Sequence, residues 1–329
     1  MPTPPRTDAL DVPRPQRTAA LRIAKIAFGG VVAACVAYAL YTQWGALTAA
    51  AAAARPRWGL LALSALLVLA NYALLIGAWR VVLGGWEGRM RIGYWESARI
   101  WTVSNLGRYV PGKVWAMGSM ALMVQAHGVS GVAAVGSSIL IMLINTVAGF
   151  VVLAATGAPV LHVPAAGTAV IIAIGAAVLL SPHLLPWLGG IAAKLTKRAI
   201  AIPRLPHRAI WIAALISAAS WVLYGLAFRV LVDGVLGRAP GALGFYVAVF
   251  TGSYLIGFLA LIVPGGIGVR EVVMGTALRQ AGFTTGEAVL LVVASRVWLT
   301  ILEILPALLF LAHRWVRGQR PHGSTEITQ

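Results

Sequence analysis

Apolar residues run along this chain in stretches whose length says more than their periodicity. A helix needs about 20 mainly apolar residues to cross a hydrocarbon core. Six stretches meet that requirement, at about residues 21–43, 58–79, 133–157, 163–187, 211–235 and 287–313. Two further regions, 95–127 and 243–281, are apolar but interrupted. The first has Pro111 and Gly112 at its centre, and each limb, about 95–110 and 112–126, is shorter than a bilayer. Proline lacks an N–H and clashes with the preceding helical turn, so the pattern predicts a re-entrant helix pair turning at Val110-Pro111-Gly112. The second region turns at Pro264-Gly265-Gly266. Its first limb, 243–263, is long enough to span, but re-entry keeps the basic C-terminal end on the same side as the N-terminus.

The two interrupted regions are similar to one another. Val110-Pro111-Gly112 recurs as Val263-Pro264-Gly265, Gly128-Val129-Ser130 is echoed by Gly282-Phe283-Thr284, and an apolar span follows each. The expected fold is an all-α polytopic membrane protein with about six full spans and two oppositely entering re-entrant hairpins, arranged as an inverted repeat. The membrane domain is expected over 21–315, with repeat halves at about 58–157 and 211–313. Many secondary transporters follow this plan. Residues 1–20, rich in Pro and Arg, read as a disordered cytoplasmic tail, and 316–329 as a second cytoplasmic tail. The Ala-rich stretch after Trp44 imitates a signal-peptidase site, but the Pro/Arg leader before it is a poor n-region.

Composition removes the soluble alternatives. Hydrophobic residues make up 60% of the chain, charged ones 11%, and the mean hydropathy is +0.85, whereas soluble domains are about 45–50% apolar. The 26 Lys and Arg against 9 Asp and Glu give +17, but the basic residues sit in short connections, as topology signals do. They gather in the N-terminal tail, after the second span, in the central connection (Lys194, Lys197, Arg198, Arg204, Arg208) and at the C-terminal end. The opposite connections hold Arg55, Arg57 and Arg238. Lys and Arg mark cytoplasmic loops, so both termini are expected in the cytoplasm of a multi-pass inner (plasma) membrane protein that binds no nucleic acid. Cys35 is the single cysteine, which excludes an intramolecular disulfide. Most of the 12 tryptophans fall near span ends and read as an interfacial belt.

Seven basic residues remain in or beside apolar runs, and these carry the candidate chemistry. Backbone that leaves a helix at membrane depth is tolerated where it lines a cavity. Helices starting after Gly112 and Gly266 would present free N–H groups and a positive dipole end, a ready place for phosphate. Arg108, Lys113 and Arg270 add full charges there. Insertion scales charge about 2.5–3.5 kcal/mol for a cation at mid-span, a cost that scaffold alone does not explain. The expected substrate-binding set is Asn105, Arg108, Pro111, Gly112, Lys113, Asn145, Pro264, Gly265, Gly266, Gly268, Arg270, Glu271, Arg296 and Glu303. Arg296 and Glu303, two turns apart on one face, should pair with each other or with one partner each on the second hairpin. Glu271 needs a partner other than Arg270, because adjacent helical residues do not face each other. Ser137, Ser138, Asn145 and Thr146 form a polar stripe that reads as glue between helices. Arg229 and Asp233, one turn apart, are expected to pair at the outer interface. His and Cys show no metal-ligand spacing, and no P-loop, GxSxG or dinucleotide fingerprint occurs. No catalytic residue, metal or cofactor is expected.

GRYVPGKVW at 107–115 and IVPGGIGVREVVM at 262–274 resemble the two signature segments of the lysylphosphatidylglycerol synthase transmembrane family, also called flippase-like proteins. That family includes the N-terminal flippase domain of the multiple peptide resistance factor. The second motif is the more specific, matching at Pro264, Gly265, Gly266, Gly268, Arg270 and Glu271, and the resemblance covers roughly residues 20–313. It implies a translocator moving an anionic or aminoacylated phospholipid, or a lipid-linked headgroup, between leaflets. Aminoacyl transfer in the best-known members belongs to a separate cytosolic domain, so the resemblance does not imply it here. Two other readings stand beside translocation: an intramembrane transferase with Glu271 or Glu303 as base, and a membrane partner of a separately encoded synthase or glycosyltransferase. The expected partner is a phosphate-containing membrane lipid; a separately encoded lipid-modifying enzyme and a second copy of the chain are further candidates.

The charge pattern has a direct test. In a chain carrying Cys35→Ser, Lys197→Cys is expected to react with a membrane-permeant maleimide and to stay unlabelled by an impermeant one added to intact cells. Labelling from outside overturns the cytoplasmic placement of the central connection.

Overall fold

The computed structural model of the protein describes residues 48, 52, 56–87, 92–109, 114–161, 206–259 and 268–318. The expected spans at 21–43 and 163–187, the two Pro-Gly turns and the tail at 1–20 lie outside the described residues, as does the tail beyond 318. Among the described residues the structure is all helical. It comprises α1 (Trp58–Glu87), α2 (Tyr94–Asn105), a 3₁₀ turn (Leu106–Tyr109), α3 (Val114–Gln125), α4 (Gly131–Leu161), α5 (His207–Leu236), α6 (Leu243–Leu259), α7 (Val269–Gln280) and α8 (Thr285–Gly318).

Four helices are long and apolar enough to cross a membrane: Trp58–Glu87, Ala133–Gly157, His207–Leu236 and Thr285–His313. Each contains a stretch anticipated from the apolar pattern. Between them lie the shorter helices of the interrupted regions. At about 1.5 Å per residue, the 12 residues of α2 and of α3 reach well short of the roughly 30 Å hydrocarbon core. The element order is therefore long, short, short, long, twice over.

The two halves share local construction as well as order. The turn after α3 closes at Gly128 and that after α7 at Gly282, both with positive φ (77° and 90°), a left-handed conformation that glycine adopts without strain. A buried apolar residue follows each, Val129 and Phe283. Then comes a hydroxyl that caps the next long helix: Ser130 Oγ accepts from Ala133 N–H at 3.2 Å, and Thr284 Oγ1 from Glu287 N–H at 3.2 Å. A carboxylate answers each cap. Glu287 accepts from Thr284 N–H within its own capping box, and Glu87 reaches Ser130 N–H from the end of α1.

Packing follows from close approach of small residues, the rule where lipid rather than water surrounds the helices. α1 lies against α5 in opposite direction: Arg57 N–H donates to Gly234 O at 2.8 Å and Ser64 Oγ to Ala227 O at 2.9 Å. α6 runs antiparallel to α5, with Trp221 against Tyr254, Tyr224 against Phe250 and Phe228 against Tyr246. α4 packs on α6 and α8 on α2, so the second long helix of each half covers the other half's hairpin. Two apolar cores result. One is built around Trp221, Phe228, Tyr246 and Phe250, the other around Trp79, Leu83, Ile100 and Ile144.

One expected contact is corrected. Asp233 pairs with Arg57 (3.4 Å) rather than with Arg229. The start of α1 lies across the last turn of α5, where a cation also meets the negative end of the helix dipole.

The close α5–α6 approach generates a stability prediction. A Cβ at Gly225 would fall 2.4 Å from Val247 Cα, a clash with backbone that no rotamer relieves. Gly225→Ala is expected to destabilise by about 1–3 kcal/mol. Gly59→Ala, where nothing lies within 4 Å of the added carbon, should leave the melting temperature of the detergent-solubilised protein level or slightly raised.

Candidate functional site

The second hairpin positions a buried cation. α7 begins at Val269, and Arg270 follows in its first turn. α6 passes so close that a Cβ on Gly257 would sit 3.0 Å from Arg270 Cβ. This lets the side chain lie along the α6 surface. Its guanidinium rests over the rings of Phe250 (5.1 Å) and Tyr254 (5.3 Å), one turn apart on α6. Cation–π attraction strengthens when the charge is desolvated, and Arg270 is only 7% exposed. Even so, Nη2 is buried with no hydrogen-bond partner. A charged donor without an acceptor is costly in the interior and has the chemistry to take an anionic oxygen.

Around this cation the structure gathers three more of the expected residues. Glu271 Oε2 accepts from Gly268 N–H at 2.6 Å, and its Oε1 lies 3.7 Å from Arg296 Nε. Arg296 thus takes a partner on the second hairpin, one of the two arrangements its spacing allowed, and Glu271 has partners other than Arg270. Arg296, Glu271 and Glu303 all lie close enough to act on the Arg270 charge. The start of α7 is already served by its own carboxylate, so the attraction for an anion rests on the guanidinium more than on the helix end.

The other expected residues divide. Asn145 accepts from Trp221 Nε1–H through its backbone oxygen at 2.8 Å, while its side-chain Oδ1 is buried without a partner. Trp221 meets Tyr254 edge-on at 5.3 Å, which puts Asn145 one aromatic pair away from the Arg270 cradle. Asn105 ends α2, and Arg108 belongs to the 3₁₀ turn that packs on α8. The Arg108 side chain and residues Pro111, Gly112, Lys113, Pro264, Gly265 and Gly266 lie outside what the structure describes. In the polar stripe of α4, Ser137 accepts from Trp79 Nε1–H at 3.3 Å, while Ser138 and Thr146 return their hydroxyls to their own helix. Among the described residues no cluster of His, Cys, Asp or Glu could hold a metal. Sequence reasoning missed Phe250, Tyr254 and Gly257. Their spacing of four and three residues, just ahead of the second Pro-Gly turn, was the available signal.

Residues 22–307 match the family model of the lysylphosphatidylglycerol synthase TM region. The chain belongs to this family. No curated protein and no solved structure matches it. Membership in the lysylphosphatidylglycerol synthase TM family gives the protein a membrane lipid-related function, and the matched span takes in α1 to α7 and α8 as far as residue 307.

Glu271 ties the second hairpin together twice, which sets an order among variants. Glu271→Ala loses both the bond to Gly268 N–H and the Arg296 contact, whereas Arg296→Met loses the contact alone. A partly exposed pair at this separation contributes little, about 0–1 kcal/mol, and a capping carboxylate about 1 kcal/mol. Thermal unfolding of the purified variants is expected to rank Glu271→Ala below Arg296→Met, with Arg296→Met close to the parent.

Proposed function

We propose that the protein translocates a phosphate-bearing lipid between leaflets of the plasma membrane, and that Arg270 takes the phosphate. The observation that carries this reading is the guanidinium held on Phe250 and Tyr254 with Nη2 unpartnered. A purely structural arginine at such depth would spend its donors on protein acceptors. Glu271, Glu303 and Arg296 lie near enough to act on the Arg270 charge. An arriving phosphate takes over the free donor while the hydrocarbon chains stay in lipid.

The architecture we infer is an inverted repeat of six spans and two re-entrant hairpins within residues 21–315, with both termini cytoplasmic. Support comes from α1 and α5, the first helices of the two halves, which pack antiparallel, and from the shared glycine-and-cap construction before α4 and α8. Spans at 21–43 and 163–187 would complete the count. Opposed discontinuous helices then bring Arg270 and the 3₁₀ turn with Arg108 to one central site, the arrangement secondary transporters use. Translocation is favoured over a transferase because Glu271 is engaged by Gly268 N–H and Arg296, which leaves it poorly disposed as a general base.

Leaflet-resolved transport by purified protein in liposomes tests the role of Arg270. Arg270→Lys should keep part of the activity, because a point charge still attracts phosphate without the planar fork. Arg270→Gln should fold and be inactive. If Arg270→Gln misfolds, and Glu303→Gln in the same chain restores both folding and transport, Arg270 balances a carboxylate and binds no phosphate.

A further inference from the structure

The two apolar cores are separated by a polar layer. α1 passes from one core to the other between Val68 and Ala78, α4 between Ile144 and Ala148, and α5 between Ala213 and Trp221. In each gap stands a polar side chain, fully buried at Asn71 and Ser217 and partly buried at Asn145. Asn71 is 0% exposed with neither amide atom bonded, Ser217 is 0% exposed with its hydroxyl unbonded, and Asn145 Oδ1 is buried without a partner.

These groups share one level of the bundle. Asn71 lies two turns beyond Ser64 on the same face of α1, and the antiparallel register that joins Ser64 to Ala227 carries Asn71 opposite Ser220. Ser217 is one turn from there on α5, and its neighbour Trp221 bonds Asn145. Trp221 abuts Tyr254, which underlies Arg270. The layer falls near the middle of the 30-residue α1, the 31-residue α4 and the 30-residue α5, three helices long and apolar enough to cross a membrane.

Packing and sequence offer no reason for unbonded amides there, since an apolar side chain would bridge the two cores at lower cost. Their chemistry names a ligand. Carboxamides and hydroxyls are neutral donors and acceptors suited to hydroxyl groups, and the layer's polar side chains among the described residues include no carboxylate to meet an ammonium. We propose that Asn71, Asn145 and Ser217 form a subsite for the hydroxyl-bearing part of a polyol- or sugar-phosphate headgroup whose phosphate is on Arg270. The proposal rests on the translocator reading and adds the substrate class.

The experiment compares leaflet-resolved transport of chain-labelled phosphatidylglycerol, phosphatidic acid, phosphatidylethanolamine and a glycosyl polyprenyl phosphate in liposomes. The parent protein is expected to move phosphatidylglycerol or the glycosyl lipid faster than phosphatidic acid or phosphatidylethanolamine, and whichever of the first two is faster identifies the glycerol or sugar source. Asn71→Leu and Asn145→Leu should each lower the preference for that lipid over phosphatidic acid about tenfold, the effect of losing one well-made hydrogen bond. Their melting temperatures should not fall, because Asn71→Leu removes a buried amide with neither atom bonded and Asn145→Leu a buried, unbonded carbonyl oxygen. Equal loss of both lipids together with a lower melting temperature makes the layer structural and overturns the subsite, as does an unchanged preference. Faster transport of phosphatidylethanolamine also overturns it. If the parent moves none of the four, the translocator reading falls and this one with it. If Arg270→Gln silences transport while the two Asn variants keep the parental preference, only the subsite is lost.

Discussion

Polar groups at the depth of a hydrocarbon layer have no water to turn to, and this constraint shapes the rest of the protein. Helices satisfy the backbone within themselves. Hydroxyls on the helices follow the same rule locally: Thr102, Thr146 and Thr156 bond the carbonyl four residues earlier, and Ser220 that of Ser217. Helix ends are closed by Ser130, Thr284, Glu287 and Glu271. Against these local solutions, a few buried polar groups stay unbonded, among them Arg270 Nη2, both amide atoms of Asn71 and the hydroxyls of Ser217 and Thr251.

Among the described residues the one charged exception lies at the start of α7. Arg270 stands where the second hairpin resumes its helix, and it is held in place by two aromatic rings and a glycine from α6 rather than by a carboxylate bond. Glu271 faces the other way, bracing the start of α7 against α8 through Arg296. Two adjacent residues of opposite charge thus have separate surroundings, Arg270 on aromatic rings with Nη2 unbonded and Glu271 engaged by the fold. Asn71, Asn145 and Ser217 place further unbonded polar atoms in the gap between the two cores.

Much of the helical plan was legible because apolar length is a property of consecutive residues. The stretches at 58–79, 133–157, 211–235 and 287–313 each became a long helix, extended at one or both ends by residues such as Arg80 and Glu87 whose polarity had argued for a boundary. Those residues remain helical because they find partners: Arg80 bonds the Ile92 carbonyl and the Ser97 hydroxyl, and Glu87 takes Ser130. The Arg229–Asp233 pair failed for the converse reason. Helical spacing made it available, but Arg57, from the end of another helix, reached Asp233 instead.

What the sequence by itself determined is therefore whatever depends on neighbours along the chain: the apolar lengths, the interruptions at proline and glycine, and the family motif around Pro264 to Glu271. Only the tertiary structure decided which polar groups would be met and which left unbonded. Nothing local distinguishes Asn71 from Ser64 or Asn145 from Thr146. Ser64 finds a carbonyl on α5 and Thr146 one on its own helix, whereas the side chains of Asn71 and Asn145 have no such partner at the level where the two cores part. That outcome depends on the register between helices far apart in sequence, and register is set by close contacts such as Gly225 on Val247 and Gly257 on Arg270.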